Sequence, residues 1–301
     1  MYLLMFGLAG FMLGAILGSF AKATADRILA DKRLTGRSYC WGCSKKLRWH
    51  DLIPILSYLI LKGRCRYCQK DIGIGNLITE LFMGLLVGFL FWQSYPSLSS
   101  YSQPLLLPVF ILDLGLKTFF ITVLAIVTIT DLREMFIPDK ITIPSIASVL
   151  IVLVTTTTYK IALIYISLGG SILGKYLLPP YTDSFQRHAL ITVQPFLGSI
   201  AMGTLIALFF FLLVVVTGGR GMGGGDVKLG ALIGLALGFP FSILALFLAF
   251  ITGAVFSLGL VVGRKKKFGE VVPFGPFLVL GSLLALFWGQ RIINWYLAIL
   301  I

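Results

Sequence analysis

Two aspartates stand at the ends of strongly apolar stretches, where a carboxylate is costly. Asp131 closes the run before "LREMFIP", and Asp226 opens the run that follows "GMGGG". Carboxylates inside or at the rim of a membrane-embedded bundle tend to be functional. If the two carboxyl groups approach closely, one holds a proton as general acid while the other, ionised, acts as general base on a shared water. Such a pair is typical of aspartic peptide hydrolysis.

Each aspartate also has a structural interpretation. Asp is favoured at the start of a helix, so Asp226 could simply cap the apolar helix that it begins. Asp131 could be an interfacial carboxylate paired with Arg133. The glycines that precede Asp226 permit close backbone approach, so an extended peptide could lie there as a substrate. The residues alone leave the catalytic and the structural interpretations open.

Two further charged residues accompany the aspartates. Glu80, in "ITELFMG", is a functional candidate because it lies in an apolar stretch, or a structural partner for a basic residue of another helix. Lys228 could influence the Asp226 carboxyl or bind substrate carbonyls, whereas snorkelling to the lipid interface is the simpler account. The candidate substrate-binding residues are Gly223, Gly224, Gly225, Lys228 and Glu80.

Four cysteines form two CxxC pairs in a basic stretch of the chain. Two such pairs supply four thiolates to one tetrahedral ion, which is the pattern of a structural zinc ribbon. Two disulfides are the competing interpretation, but the stretch is predicted to be cytoplasmic, and the cytoplasm is reducing. Four cysteines leave no coordination position open, so we expect a structural Zn²⁺ ion. The predicted ligands are Cys40, Cys43, Cys65 and Cys68.

Composition identifies an integral membrane protein. Of 301 residues, 58% are hydrophobic and 12% charged, and the mean hydropathy is +0.97. A soluble domain has too little interior for so much apolar surface. The first run, 1–21, carries no charge, so we interpret it as a retained span and not as a cleaved signal peptide. Lipids are therefore expected partners.

The net charge of +13 does not indicate a nucleic-acid partner. Of the 25 Lys and Arg residues, 12 lie between Lys22 and Lys70, and four more form the cluster 264–267. Clusters beside apolar spans follow the positive-inside rule for cytoplasmic loops. No base-stacking or groove-reading motif accompanies them.

These patterns predict an all-α polytopic membrane protein of about eight transmembrane helices with a small cytoplasmic zinc-ribbon-like loop domain. The N-terminus is expected outside, the loops 22–72, 131–140, 218–228 and 264–272 inside, and the segment 160–195 outside, on the membrane surface. The predicted domains are a first span (1–21), the zinc-binding loop with its four cysteines (22–72) and a membrane-embedded peptidase domain (73–301). The predicted spans are 3–21, 73–92, 114–130, 141–159, 196–217, 229–240, 241–263 and 273–293.

A GxGD motif at the start of one span, with a second Asp ending an earlier span, resembles the intramembrane-type aspartic proteases. Among these, the chain is similar to the type IV prepilin peptidases, and the similar segments cover roughly half of it in the family's order. They are "GAILGSF" (14–20) leading to Arg27, "CWGC" (40–43), "DLIPILSYLILKGRCRYC" (51–68), "ITELFMG" (78–84), "TDLREMFIPDKITIP" (130–144), "GMGGGDVKLGALIG" (221–234) and "VPFGPFLVLG" (272–281).

The resemblance implies an enzyme of the bacterial cytoplasmic (inner) membrane. Such enzymes cut the short basic leader from prepilins and pseudopilins on the cytoplasmic side, and many then N-methylate the new terminus with S-adenosylmethionine. The matching positions make Asp131 and Asp226 the catalytic pair. The chain departs from the family at Lys22, where an Asn is usual.

Two other functions fit the same residues less well. An ion- or proton-coupled transporter could use Asp131, Asp226 and Glu80, but it predicts inverted repeats and acids near the bilayer midplane. A scaffold anchored by its zinc loop predicts that both aspartates could be lost without consequence.

Overall fold

The computed structural model describes residues 1–40, 42–98, 104–170, 183–219, 222–263 and 272–300. Within these ranges the chain is helical, and β-structure is limited to two isolated bridges, Tyr39 with Lys46 and Arg64 with Asp71. One turn of 3-10 helix covers Trp49–Leu52. The α-helices are α1 (Tyr2–Leu29), α2 (Leu56–Ile60), α3 (Gly75–Leu98), α4 (Leu107–Glu134), α5 (Asp139–Gly169), α6 (Ser184–Val216), α7 (Gly224–Leu237), α8 (Phe241–Val262) and α9 (Gly275–Leu300).

Seven helices of the described chain are long and apolar enough to cross a membrane, namely α1, α3, α4, α5, α6, α8 and α9. The all-α membrane architecture is thus confirmed, and seven of the eight predicted spans are helices of spanning length within the described residues. The sixth predicted span forms α7, which has only 14 residues. At 1.5 Å per residue it is about 21 Å long, less than the ~30 Å thickness of the hydrocarbon core.

The sequence had suggested a surface element over 160–195, but the described parts of this segment belong to two long helices. Residues 160–169 continue α5, and residues 184–195 begin α6. α5 has 31 residues, about 46 Å of helix, so one end extends beyond a hydrocarbon core of ~30 Å. Several sequence features lie outside the described residues: 171–182, Trp41 of "CWGC", Gly221 of the glycine-rich motif and the basic cluster 264–267.

The chain divides into two compact units, of which the first comprises residues 1–100 and 117–138. In this unit α1 and α3 pack through glycines that leave no room for a side chain. A Cβ added to Gly18 would lie 2.8 Å from the carbonyl oxygen of Thr79, and one added to Gly14 would overlap the carbonyl of Met83. Small residues allow membrane helices to approach this closely. The packing places the end of α1 beside the start of α3, and the cysteine loop connects these two ends.

The second unit comprises residues 101–116 and 139–301. Within it α7 packs against α5, α6, α8 and α9. A Cβ added to Gly234 of α7 would lie 2.6 Å from the Cα atom of Gly203 in α6, so these two backbones are in contact. Protein therefore surrounds much of α7.

Candidate functional site

Asp131 lies in the last turn of α4 with its side chain buried. The residue is 5% exposed, and the helix ends at Glu134, followed by Met135 with a positive φ of 49°. Arg133, which the sequence offered as the partner of Asp131, donates to Asp26 Oδ1 of α1 at 2.8 Å. The last turn of α4 is therefore attached to α1 within the first unit.

Asp226 lies in the first turn of α7 and is 8% exposed. Gly223 occupies the N-cap position in an extended conformation, and its backbone N–H donates to Asp226 Oδ2 at 3.2 Å. Asp226 is therefore not the N-cap residue itself but lies three residues after it, and its side chain accepts the backbone N–H of the N-cap residue. A negative charge at a helix N-terminus is favoured by the helix dipole. Asp131 belongs to the first unit and Asp226 to the second.

The glycines before Asp226 leave space around the start of α7. A Cβ added to Gly224 would meet no atom within 4 Å, and one added to Gly223 would meet only atoms of its own turn. Both residues are exposed, and Gly225 is half-buried. The backbone here is accessible to an approaching extended chain.

Lys228 lies one turn into α7 and forms an ion pair that the sequence analysis missed. Its ammonium donates to Asp139 Oδ1 at 2.6 Å, and Asp139 is the first residue of α5. Both side chains are substantially exposed. The pair links the first turns of α5 and α7 within the second unit.

Glu80, buried in α3, binds the cysteine loop and not a basic residue. Its Oε2 accepts the backbone N–H of Ile55 at 2.7 Å, and Ser19 of α1 also hydrogen-bonds it. The carboxylate therefore joins α1, α3 and the loop at one point.

The cysteine loop contains two copies of one backbone arrangement. In each, the N–H of the first cysteine donates to the carbonyl five residues later: Cys40 to Lys45 at 3.0 Å, and Cys65 to Lys70 at 2.9 Å. The fourth residue after each of these cysteines has a φ near +57°, as the tight return of the chain requires. This duplicated turn presents each CxxC pair to the other.

The four sulfur atoms converge on one point. All lie within 4.8 Å of one another, and Cys40 Sγ is 3.7 Å from Cys68 Sγ. Four thiolates at the usual 2.3 Å from a tetrahedral zinc ion are roughly 3.8 Å apart. All four residues are free thiols. The cluster can therefore hold a metal ion, and its donor set of four sulfurs suits zinc.

A backbone amide points to the sulfur of the first cysteine in each pair. The N–H of Gly42 points to Cys40 Sγ at 3.3 Å, and that of Tyr67 to Cys65 Sγ at 3.5 Å. Burial alone would raise the pKa of the Cys40 thiol, but the amides of Cys43 and Gly42 and the neighbouring thiols lower it to about 6. At Cys68 the Lys70 amide lowers the pKa, yet desolvation and the other thiols together raise it to about 11.

Asp51 organises the loop, although the sequence analysis assigned it no role. Its Oδ1 accepts from Arg66 Nε at 2.7 Å, and its Oδ2 accepts from the Arg48 N–H at 3.2 Å and from the Tyr67 hydroxyl at 3.3 Å. Burial alone would raise the pKa of Asp51, but Arg66 and the Arg48 amide outweigh it and hold the pKa below its ordinary value. The contact joins the 3-10 turn to the second CxxC pair.

The unusual Lys22 is explained by its neighbour on the helix. Lys22 is 8% exposed and donates to Asp26 Oδ1 at 2.6 Å, and Asp26 also binds Arg133. The i,i+4 spacing of Lys22 and Asp26 is the sequence signal that could have revealed this pair. α1 extends past Ala21 to Leu29 and so carries both residues.

Two family models match the chain. The bacterial peptidase A24 N-terminal domain matches residues 12–94, which include most of α1, the cysteine loop and most of α3. The type IV leader peptidase family matches residues 118–258, which include Asp131 and Asp226. No solved structure matches the chain with significance.

Several curated proteins are similar over most of the chain. A prepilin leader peptidase/N-methyltransferase of Bacillus subtilis (strain 168) is 30% identical over 294 residues, which cover 95% of this chain and 96% of that protein. The protein of the same name from Aeromonas salmonicida (strain A449) is 30% identical over 262 residues, 87% of this chain and 75% of its own. That of Legionella pneumophila is 28% identical over 264 residues, with coverage of 87% and 75%. The chain therefore belongs to the type IV leader peptidase family, among the prepilin leader peptidase/N-methyltransferases.

Proposed function

We propose that this protein cleaves the leader of type IV prepilins or pseudopilins, with Asp131 and Asp226 as the catalytic pair. The observation that carries the proposal is the burial of one carboxylate at a helix end in each unit, both inside the region that matches the leader peptidase family. Buried carboxylates are expensive, and they are retained at membrane depth mainly for function.

The chemistry follows from two carboxyl groups sharing a water. Peptide hydrolysis needs an activated water and a proton for the leaving amine. One ionised Asp removes a proton from water, the resulting hydroxide attacks the carbonyl carbon, and the protonated Asp serves as the acid. The open backbone at Gly224 leaves room for an extended substrate beside Asp226.

The active face is expected at the cytoplasmic side of the bacterial inner membrane, with the N-terminus outside. The orientation rests on the basic residues of the loops 22–72 and 264–272. This orientation requires α7 to cross from the cytoplasmic to the outer side of the membrane, although α7 is short. Without that crossing, α8 would start inside and would place the cluster 264–267 outside. The contacts of α7 with four other helices support such a protein-enclosed passage.

Two further groups belong to the proposal. Zn²⁺ bound by Cys40, Cys43, Cys65 and Cys68 would have a structural role, since four sulfurs fill a tetrahedral shell. S-adenosylmethionine supplies a methyl group on a sulfonium sulfur: the neutral amine of the new N-terminus takes the methyl, the sulfur keeps the bonding electron pair, and a proton is released. The names of the relatives support this second activity.

The test compares purified variants on one prepilin in detergent. Asp131→Asn and Asp226→Asn keep size and polarity but cannot exchange the proton, so each should abolish cleavage. Asp113→Asn is a matched control, because Asp113 is an exposed carboxylate on α4, and it should cleave normally. Near-normal cleavage by either variant of the pair would remove the aspartic mechanism. Membership of the leader peptidase family gives no support to the transporter alternative.

A further inference from the structure

The cysteine loop carries exposed apolar side chains that neither the proposed hydrolysis nor the metal site uses. The ten residues 52–61 ("LIPILSYLIL") include no charged residue. Six large side chains in and just before this stretch are exposed, and we call them the apolar face of the loop: Trp49, Leu52, Ile53, Leu56, Leu59 and Ile60. Trp49 is 77% exposed and Ile60 is 74% exposed. An exposed apolar patch with a polar rim marks a surface that contacts a partner or a membrane.

The short helix α2 presents one side outward and packs the other against its own loop. Leu56, Leu59 and Ile60 stand at positions i, i+3 and i+4, which share one face of a helix. Tyr58, on the opposite side, is half-buried. Its ring lies against Gly63, where an added Cβ would be 2.8 Å from the Tyr58 hydroxyl oxygen. Because the inner side is packed, the direction of the exposed side is fixed by the folded loop.

Glu80 places the start of α2 at the level of the membrane boundary. Its carboxylate accepts the N–H of Ile55 at 2.7 Å, and Ile55 is the N-cap residue of α2. Glu80 is the sixth residue of α3, about 8 Å along the helix axis from the first. α3 has 24 residues and is about 36 Å long, only about 6 Å more than a hydrocarbon core of ~30 Å. Even with the whole excess at this end, Glu80 lies at the edge of the hydrocarbon, and α2 begins beside it.

Basic residues rim the apolar face. Between residues 42 and 70 the chain has seven Lys or Arg residues and one acidic residue, Asp51, whose side chain is buried in an ion pair. Arg48 precedes the apolar face along the chain, Lys62 and Arg64 follow it, and all three are exposed. The surroundings of the face are therefore positively charged.

This combination favours phospholipid over a protein substrate as the occupant of the face. A tryptophan and several cations beside an apolar surface are typical of segments at the boundary between lipid headgroups and acyl chains. The basic leader of a prepilin carries the same sign of charge as the rim, and like charges disfavour such a contact.

We propose that the apolar face of the loop lies in the bilayer that the protein itself spans, among the headgroups and first acyl carbons of the phospholipids. Trp49 and the exposed side of α2 contact the acyl chains, and the flanking cations lie at the lipid phosphates. Interfacial segments reach about 5–10 Å into the lipid, which agrees with the level of Glu80. The contact fixes the height of the cysteine cluster at the membrane surface, because Cys65 lies five residues after the end of α2. The inference does not depend on the proposed hydrolysis or methyl transfer.

Fluorescence of Trp49 tests the position of the face. The full-length protein is reconstituted in bilayers of phosphatidylethanolamine and phosphatidylglycerol, with or without bromine on the acyl carbons nearest the headgroups, which quenches tryptophan on contact. The chain has five Trp residues, so the Trp49 signal is the difference between wild type and Trp49→Phe. Brominated lipid should reduce this signal at least about twofold if the ring lies at the interface, whereas acrylamide, a quencher dissolved in water, should leave most of it.

A matched pair of variants tests the contribution of α2. Ile60→Asp places a carboxylate in the apolar face, and Ile74→Asp makes the same change at an exposed position of the same loop outside the face. A carboxylate is costly among acyl chains, so Ile60→Asp should roughly halve the quenching of Trp49 by brominated lipid. Ile74→Asp should leave it unchanged. The melting temperature in detergent, measured on both variants, shows that each one is folded.

Several outcomes would overturn the proposal. If acrylamide quenches Trp49 and brominated lipid does not, the face lies in water. If neither agent quenches it, protein covers the face, and cross-linking of the reconstituted protein then shows whether that protein is a second copy of this chain. Equal quenching in wild type and Ile60→Asp would mean that α2 does not contact lipid. A raised KM for prepilin in Ile60→Asp, without lipid quenching in wild type, would make the face a substrate surface.

Discussion

The carboxylate of Glu80 accepts the backbone N–H of Ile55 at 2.7 Å and thereby holds a strained turn of the cysteine loop. Ile55 has φ 63° and ψ −54°, and the Leu56 N–H donates to the Pro54 carbonyl two residues back at 2.6 Å. This γ-turn with positive φ is rare, and for a β-branched residue it is a genuine outlier. Such a conformation costs about 1–3 kcal/mol, which the surroundings must offset.

Replacing Glu80 tests this role. Glu80→Ala removes a hydrogen bond to a charged group, worth about 1.5–3 kcal/mol, so we expect the turn to relax. Hydrogen exchange of the amides in residues 53–61 should accelerate, while exchange in α5 and α6 stays unchanged. Glu80→Gln retains a carbonyl acceptor and should lie close to wild type. Equal protection in wild type and Glu80→Ala would show that Glu80 does not hold the loop.

The ion pair of Arg133 with Asp26 predicts coupling between α1 and the helix end that carries Asp131. Arg133 is half exposed, so the interaction is worth no more than about 1 kcal/mol. Asp26→Asn and Arg133→Gln should each lower the rate of prepilin cleavage, by up to about fivefold, through a lower kcat and not a higher KM.

The double variant is the control for that prediction. If the two residues act through one contact, the combined substitution should be no worse than Asp26→Asn alone, which also removes the pair with Lys22. Effects that simply multiply would mean that the two side chains act independently.

Local spacing predicted the cysteine cluster well, because four ligands on two tight turns depend on few distant contacts. Hydropathy likewise predicted the long helices. The short helix α7 was harder to predict from hydropathy. A helix of that length can lie within a membrane only when other helices cover it, and such coverage depends on the tertiary structure.

The charged residues of α1 and of the loop show why the site could be predicted only in part. Lys22 was interpreted as a departure from the family. In the structure it pairs with Asp26, which also binds Arg133 far along the chain. Glu80 was expected to contact substrate or a basic side chain, and its partner is a backbone amide. Sequence patterns identify a buried carboxylate without identifying its partner.

Because the glycines of α1 contact the backbone of α3, we expect larger side chains at these positions to destabilise the protein. Gly14→Leu would place a side chain in the backbone of α3, so the helices must separate, at a cost of about 1–3 kcal/mol or more. The melting temperature in detergent should fall clearly. Gly259→Leu is the matched control, because a Cβ at Gly259 of α8 meets no atom within 4 Å. Equal melting temperatures for the two variants would contradict the close packing of α1 on α3.

Asp51, whose side chain is buried, stabilises the loop, and we expect the loss of stability on its replacement to be independent of pH around neutrality. Because its pKa is lowered in the folded loop, its contribution is fully present above the ordinary carboxyl pKa of about 3.9 and is lost as pH falls through the folded value. Asp51→Asn should therefore destabilise the loop by the same amount at pH 7.5 and pH 8.5, a window above the ordinary imidazole pKa of about 6.5 that is chosen because His50 Nε2 lies 3.6 Å from Asp51 Oδ1. Fluorescence of Trp49 during denaturation measures the difference. A penalty that changes between these two pH values would mean that another group titrates with it.

The converging sulfurs predict that the loop folds around one metal ion. Metal analysis of the purified protein should find about one zinc per chain, as four ligands on one site require. Cys65→Ser should lose it, because Cys65 is the buried ligand, 3% exposed, and a hydroxyl is a poor substitute for a thiolate. Metal binding to such sites is coupled to folding, so protease should then cut within residues 40–68 while the transmembrane helices stay intact. Ser57→Ala, a change in the same loop away from the sulfurs, should keep both metal and protease resistance. A metal-free wild-type protein with two intact disulfides would overturn the zinc site, and a metal-free loop that resists protease would show that the fold does not depend on the ion.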